Sequence, residues 1–396
     1  MRHLRQKILY PLIALMALGA GAFALADPGA VPGLRALFNE KTPDGLVVPV
    51  SSMEELVREA KRAKQKTVLR LAPGRYEGGY LSDVKSAAGL TIESANPADP
   101  AVIRGLTIKG SSGIRLRRLL FSTPLGQPGK QYLLLVMGSS NIAIDDVELV
   151  GEGDPATDKM ISALMLRNCS DVRVSGSRFS RFRYALSFLG GDGITLERNE
   201  LRDLRTDAIR GGGADNLTIR NNVIGNFQPA NGDHPDGVQL WSNDQSRPAK
   251  NIVIADNLVV RDQGGIIQGV FVRDTKRQMP FENVEISGNL VIGSMYNGIS
   301  LDGAHGAQIS KNIVIPEGSQ KSWIRVERAQ DVDLTDNRAM LFIIGKEAKV
   351  RQKGSKHTGR LKGDMAPIIR TWLEARPALR DQPGPYLQRL AGLTTK

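Results

Sequence analysis

Ile194-Thr195-Leu196-Glu197-Arg198-Asn199 sets a pattern that the chain repeats five times. The copies are Leu217-Thr218-Ile219-Arg220-Asn221-Asn222, Ile252-Val253-Ile254-Ala255-Asp256-Asn257, Val284-Glu285-Ile286-Ser287-Gly288-Asn289, Ala307-Gln308-Ile309-Ser310-Lys311-Asn312 and Val332-Asp333-Leu334-Thr335-Asp336-Asn337. All but Ile252-Val253-Ile254 begin apolar, polar, apolar, the period-2 signature of a strand with one buried face. Each ends on Asn, which suits a tight turn, tolerates left-handed backbone and can stack in ladders. Successive asparagines stand 23, 35, 32, 23 and 25 residues apart. A fixed period of this size marks a solenoid, here with two coils carrying insertions.

A second strand recurs inside the unit: Asp207-Ala208-Ile209-Arg210, Asp236-Gly237-Val238-Gln239, Gly265-Ile266-Ile267-Gln268 and Asn297-Gly298-Ile299-Ser300. Three of the four start eight residues after the Asn; the copy at Asp236 starts 14 after it, so six residues are inserted there. Further insertions follow the strands, near residues 242–250 and 271–280. Shorter alternating strands such as Ile114-Arg115-Leu116 and Val172-Arg173-Val174 extend the pattern upstream. The expected fold is all-β: a right-handed parallel β-helix over residues 81–344.

Both ends carry something else. At residues 47–80, Val47-Val48-Pro49-Val50, a helix capped by Ser51 or Ser52, the strand Thr67 to Leu71 and the turn Ala72-Pro73-Gly74-Arg75-Tyr76 read as an N-terminal strand-helix-strand cap. Residues 345–396 read as a basic flexible loop followed by a C-terminal capping helix, Met365 to Ala375, and a helical tail. Residues 1–26 read as a secretory signal: Arg2, Arg5 and Lys7, then an apolar run, then Ala24-Leu25-Ala26 before the cut. Residues 27–46 form a Pro- and Gly-rich linker. The mature protein is expected in the periplasm or outside a bacterial cell, with no integral membrane span and as a monomer.

The chain has 396 residues, a net charge of +12 and one cysteine, Cys169. Internal disulfides are therefore excluded, and Cys169 reads as a small buried apolar residue. The basic charge does not come with an aromatic-rich basic patch, which argues against nucleic acid. A cationic cleft does suit an anionic polymer, so an acidic polysaccharide is the expected partner.

The cap and the Ile-x-Ile-x-x-Asn repeat together resemble the pectate-lyase-like superfamily of parallel β-helix proteins, over about residues 47 to 340. The resemblance implies a carbohydrate-active groove. Lyases of that superfamily remove the C5 proton of a uronate with Lys, Arg or His, while cations, amides or calcium neutralise the C6 carboxylate. No subfamily motif is present: Asp233-His234-Pro235 differs in order from the Asp-Pro-His of mannuronan epimerases, and the paired-Asp signature of pectin hydrolases is absent.

Site residues follow from position. Alternation turns Ile209, Val238, Ile267 and Ile299 inward and Arg210, Gln239, Gln268 and Ser300 outward in one row. Trp241 and Asp302 lie two residues further along, and Asp207, Asp236 and Asn297 stand where the strands begin. His234 or Lys276 is the expected base, Arg210 and Arg273 neutralise a carboxylate, and Asp236 completes the catalytic set. Asp233 and Asp236 are expected to orient His234. Gln239, Gln268, Trp241, Asp207, Asn297 and Asp302 would contact sugar. Calcium is the one candidate cofactor, through Asp207, Asp233, Asp236 and Asp262, although no calcium-loop spacing is present. The leading expectation is a polysaccharide lyase acting by β-elimination. A uronate C5-epimerase or glycoside hydrolase on the same groove, or a non-catalytic glycan-binding or envelope-structural β-helix, are the other readings.

Overall fold

The computed structural model describes residues 41–42, 45–123, 131–152, 160–243 and 245–393. The expected signal segment and most of the expected linker lie outside them. The chain winds as a solenoid of three-strand coils. A 22-stranded sheet wraps two faces and a 12-stranded sheet of short strands forms the third. Among the described residues every strand pairing is parallel except that of Lys41–Thr42 with Gly45–Val50.

The repeat read from sequence stacks in register. Leu217 lies beside Ile252, which lies beside Val284, Ala307 and then Val332; Ile219, Ile254, Ile286, Ile309 and Leu334 form the next column. These side chains are buried in one continuous core. Each buried aliphatic side chain contributes about 1.5–3 kcal/mol by leaving water. A single coil has nothing to bury against, so the stabilisation exists only between neighbours.

The recurring asparagines form a ladder, and all six are fully buried. From Asn199 to Asn312 each Nδ2 donates to the Oδ1 of the next Asn at 2.9–3.0 Å, and all six also donate to a backbone carbonyl. From Asn222 on, each Oδ1 also accepts the backbone N–H of the Asn before it, and Asn199 Oδ1 accepts from Ser177 N. The left-handed residue of the turn is the one preceding: Arg198, Asn221, Asp256, Gly288, Lys311 and Asp336 have φ between 53° and 66°. The Asn is thus the stacking element, and its neighbour makes the bend.

Helix α1 (Met53–Arg62) lies against the first coils. Ser52 is its N-cap, accepting from Glu55 N at 3.1 Å, while Glu55 reaches back to Ser51 N at 2.9 Å. Met53, Leu56 and Ala60 bury its inner face.

The C-terminal region departs from expectation. Its basic segment is not a loop: Val350–Lys353 and Lys356–His357 pair with the last coil and continue the solenoid. The helices α2 (Ala366–Glu374), α3 (Pro377–Arg380) and α4 (Pro385–Leu390) do not cap the end. They fold back along the side, burying Val223, Leu258, Val260, Leu290 and Ile292 on the outer surface of the 12-stranded sheet. Trp372 is the central anchor; its Nε1 donates to Gly288 O at 2.9 Å and Arg376 stacks on its ring at 4.2 Å. Trp372→Ala is expected to lower stability by about 3–5 kcal/mol in urea unfolding. No helix among the described residues is long and apolar enough to cross a membrane.

Candidate active site

Six strands of one solenoid face build the site: β1 (Leu186–Glu197), β2 (Ile209–Asp215), β3 (Asp236–Trp241), β4 (Gln268–Arg273), β5 (Tyr296–Ser310) and β6 (Ser322–Thr335). Their register corrects one expectation. Val270, not Ile267, lies opposite Val238, so Phe271, not Gln268, lies opposite Gln239. The outward row is Ser187, Arg210, Gln239, Phe271 and Ser300. The next holds Trp241, Arg273 and Asp302. Gln268 belongs one step earlier, opposite Asp236.

The reason is a column of close backbone contacts. A Cβ on Gly237 would sit 2.8 Å from Gly269 O, and one on Gly269 would sit 2.1 Å from Gly298 O. The matching units are therefore Asp236-Gly237-Val238, Gln268-Gly269-Val270 and Asn297-Gly298-Ile299. Ile267 is buried in the loop before β4, bridged to Ser294.

These rows floor an open cleft of about 600 Å³. Arg210, His234, Asp236, Gln239, Trp241, Gln268, Phe271, Arg273 and Asn297 line it, so eight of the expected site residues converge and Phe271 joins them. Phe271 belongs to β4, although the sequence pattern puts an insertion at 271–280. Tyr184 is a further residue that sequence reasoning missed. Arg210 stacks on it at 4.0 Å and on Trp241 at 4.8 Å, with Nη1 3.3 Å from Asp207 Oδ2. Two rings and a carboxylate fix this guanidinium in place.

Asp207 and Asp236 lie under the cleft, 4% and 1% exposed. Asp236 N donates to Asp207 Oδ1 at 3.1 Å, and Gln239 Nε2 donates to Asp236 Oδ2 at 2.6 Å. Asp236 Oδ1 has no hydrogen-bond partner among the described residues. Burial pushes the Asp236 carboxyl well above the usual carboxylate range, and the neighbouring Asp207 charge adds to this. Burial raises Asp207 as well, and Arg210 pulls it back. Of the two, Asp236 is raised the more, so a proton held by the pair is favoured on Asp236 and the charge on Asp207 beside Arg210.

Other expected residues stand elsewhere. Asp233 does not orient His234: its carboxylate holds Arg205 Nε at 2.7 Å and Ala230 N at 3.0 Å. Asp302 binds Arg328 at 2.7 Å and lies 3.5 Å from Arg273, so it positions cations rather than lining the cleft. Lys276 is exposed in the loop after β4 and is outside the lining. That loop is anchored by buried Asp274, which accepts from Ser242 Oγ at 2.6 Å and Met279 N at 3.1 Å. Asp262 is remote, held by Tyr386 and Arg389 of α4. The four aspartates considered for calcium therefore do not meet, and among the described residues no three His, Cys, Asp or Glu side chains group as metal ligands. Cys169 is buried, its thiol pushed up by burial.

Residues 158–314 match the family model of the right-handed β-helix region. The chain is a right-handed parallel β-helix. It shares the fold of the pectate-lyase-like superfamily. It is similar to a mannuronic acid specific polysaccharide family 6 lyase from human gut microbiota, at 12% identity and TM-score 0.56, over 87% of this chain and 98% of that one. Alginate lyase from Paenibacillus sp. strain FPU-7 matches at 14% identity and TM-score 0.47, over 78% and 99%. A family 28 exopolygalacturonase from Yersinia enterocolitica matches at 11% and 0.48, over 78% and 76%. By sequence, no curated protein matches this β-helix. Identities this low speak for the fold, and the activity must be argued from the cleft.

Proposed function

We propose that this β-helix is an exported enzyme that cleaves a uronate-containing polysaccharide by β-elimination. The observation that carries the reading is the pairing of Arg210 and Arg273 with His234 and the buried acid Asp236 in one open cleft. The guanidinium groups receive the C6 carboxylate and stabilise the enolate charge that develops as the C5 proton leaves. His234 takes that proton, the C5–H electrons form the C4=C5 bond, and the C4–O4 bond breaks. Asp236, whose Oδ1 is unpartnered among the described residues, returns a proton to the leaving oxygen. Gln239, Gln268 and Asn297 meet sugar hydroxyls, and Trp241 and Phe271 present faces to the rings.

The deciding experiment follows ultraviolet absorbance of unsaturated uronide with alginate, polygalacturonate and glucuronan, with and without calcium. A rise that vanishes in His234→Ala supports elimination. Arg210→Ala should cost about 10²–10³-fold in kcat/KM. The buried Asp207–Asp236 pair supports a second reading, hydrolysis by two carboxyls of unequal pKa. Falling viscosity with flat absorbance would select it. A change in uronate composition alone, by proton NMR, would select epimerisation.

A further inference from the structure

A β-bulge interrupts β5 beside the cleft: its register with β6 shifts between Asn297 and Ile299. Bulges re-aim side chains, often next to active sites. The residue just before it, Tyr296, holds left-handed backbone at φ 59°, a conformation bulky residues rarely adopt. Core packing does not demand it, since Tyr296 is 49% exposed. Its ring leans on Trp323, with centroids 5.1 Å apart. Trp323 Nε1 donates to Asn297 Oδ1 at 3.0 Å, and Asn297 Nδ2 donates to Gln268 Oε1 at 2.6 Å. A hydrogen-bonded line therefore runs from the cleft floor to the half-buried Trp323, which carries the exposed Tyr296 ring, one residue per coil. Arg325 stands two residues along β6 from Trp323, its Nη2 held 2.6 Å from Glu327 Oε1. From the level of Asp236 to Trp323 is three coil spacings, about 14 Å.

We propose that Tyr296 and Trp323 form a second sugar subsite, which takes a further uronate residue of the polymer lying in the cleft. The inference rests on the reading that the cleft takes acidic polysaccharide. It adds a direction: the polymer lies along the solenoid axis toward the C-terminal coils. The strained tyrosine separates this role from packing. Asn is at ease in left-handed backbone, so Tyr296→Asn relieves the strain while removing the ring.

The test is affinity electrophoresis through polygalacturonate and alginate in a His234→Ala background, alongside melting temperature. Tyr296→Asn should hold or raise the melting temperature and weaken polymer binding about tenfold, a change of about 1.4 kcal/mol. Binding of a disaccharide, which fills the cleft alone, should not change. Unchanged polymer affinity in Tyr296→Asn, with binding lost in Arg210→Ala, would overturn the subsite and leave the cleft reading standing. A lowered melting temperature with unchanged affinity would assign the pair to packing. If the parent variant retains neither polymer, both ideas fall together.

Discussion

Asp236→Asn is expected to reduce turnover by at least about 10³-fold, in line with the loss of a positioned acid in a site shielded from water. The substitution is nearly isosteric, and an Asn Oδ1 still accepts from Gln239 Nε2, now 2.6 Å from Asp236 Oδ2. Loss of activity would therefore report on the proton and not on the fold. The same change should act oppositely on stability. The Asp236 pKa is higher in the folded chain than in the unfolded one. The folded state consequently holds the proton more tightly, and its contribution is complete below the ordinary carboxylate pKa. It is lost as pH rises through the raised value, because a buried charge then forms beside Asp207. Asn cannot ionise, so urea unfolding should show the variant more stable than wild type by about 1–3 kcal/mol at alkaline pH. At acidic pH the two should converge. The wild-type rate should fall as pH rises through the same raised value, since the acid is spent and the cleft floor turns anionic toward an anionic polymer. A variant that keeps full rate, or equal stability of the two proteins at every pH, would remove Asp236 from the mechanism.

Much of the coil was legible because a solenoid repeats its instructions. Ile-x-Ile-x-x-Asn states the inward pair and the stacking residue in every unit. The bend was harder to place, since Arg198 and Lys311 take left-handed backbone although neither type favours it. Register at β4 was misread because Gly265-Ile266-Ile267-Gln268 copies the apolar pattern and starts at the right distance from Asn257. The glycine column 237, 269 and 298 carries the real signal, as a Cβ would meet the next coil's backbone at Gly237 and Gly269 and the Val314 side chain at Gly298. The tail's amphipathic helix could be read, but not where it docks. Leu258-Val259-Val260, Leu290-Val291-Ile292 and Ile313-Val314-Ile315 hold the clue. Unbroken apolar triplets mean a strand covered on both faces, and the second cover is α2 to α4. The stacking of Tyr184 on Arg210 was beyond reach, because nothing local in the sequence joins two residues on different coils.

Asn257→Leu should be the most damaging single change to the scaffold. Asn257 Oδ1 accepts from Asn222 N at 3.0 Å and Asn222 Nδ2 at 2.9 Å; its own Nδ2 donates to Ile219 O and Asn289 Oδ1, both at 2.9 Å. Leucine fills similar space but satisfies none of these groups. Three of them, Asn222 N, Asn222 Nδ2 and Ile219 O, lie in the core without water to replace the lost partner. At about 1–3 kcal/mol for each orphaned group the cost is about 3–9 kcal/mol, a large share of the 5–15 kcal/mol that typically holds a domain together. The solenoid provides its own control. Asn216, Asn251 and Asn283 form a second ladder at an exposed corner, with Nδ2 to Oδ1 distances of 2.9 Å. Asn251 is left-handed at φ 58°, so Asn251→Gly keeps the backbone at ease and lets water take the freed hydrogen bonds. Urea unfolding should place Asn251→Gly within about 0.5 kcal/mol of wild type and Asn257→Leu several kcal/mol below it. Similar losses at both positions would mean that the ladder geometry itself, and not its burial, stabilises the stack.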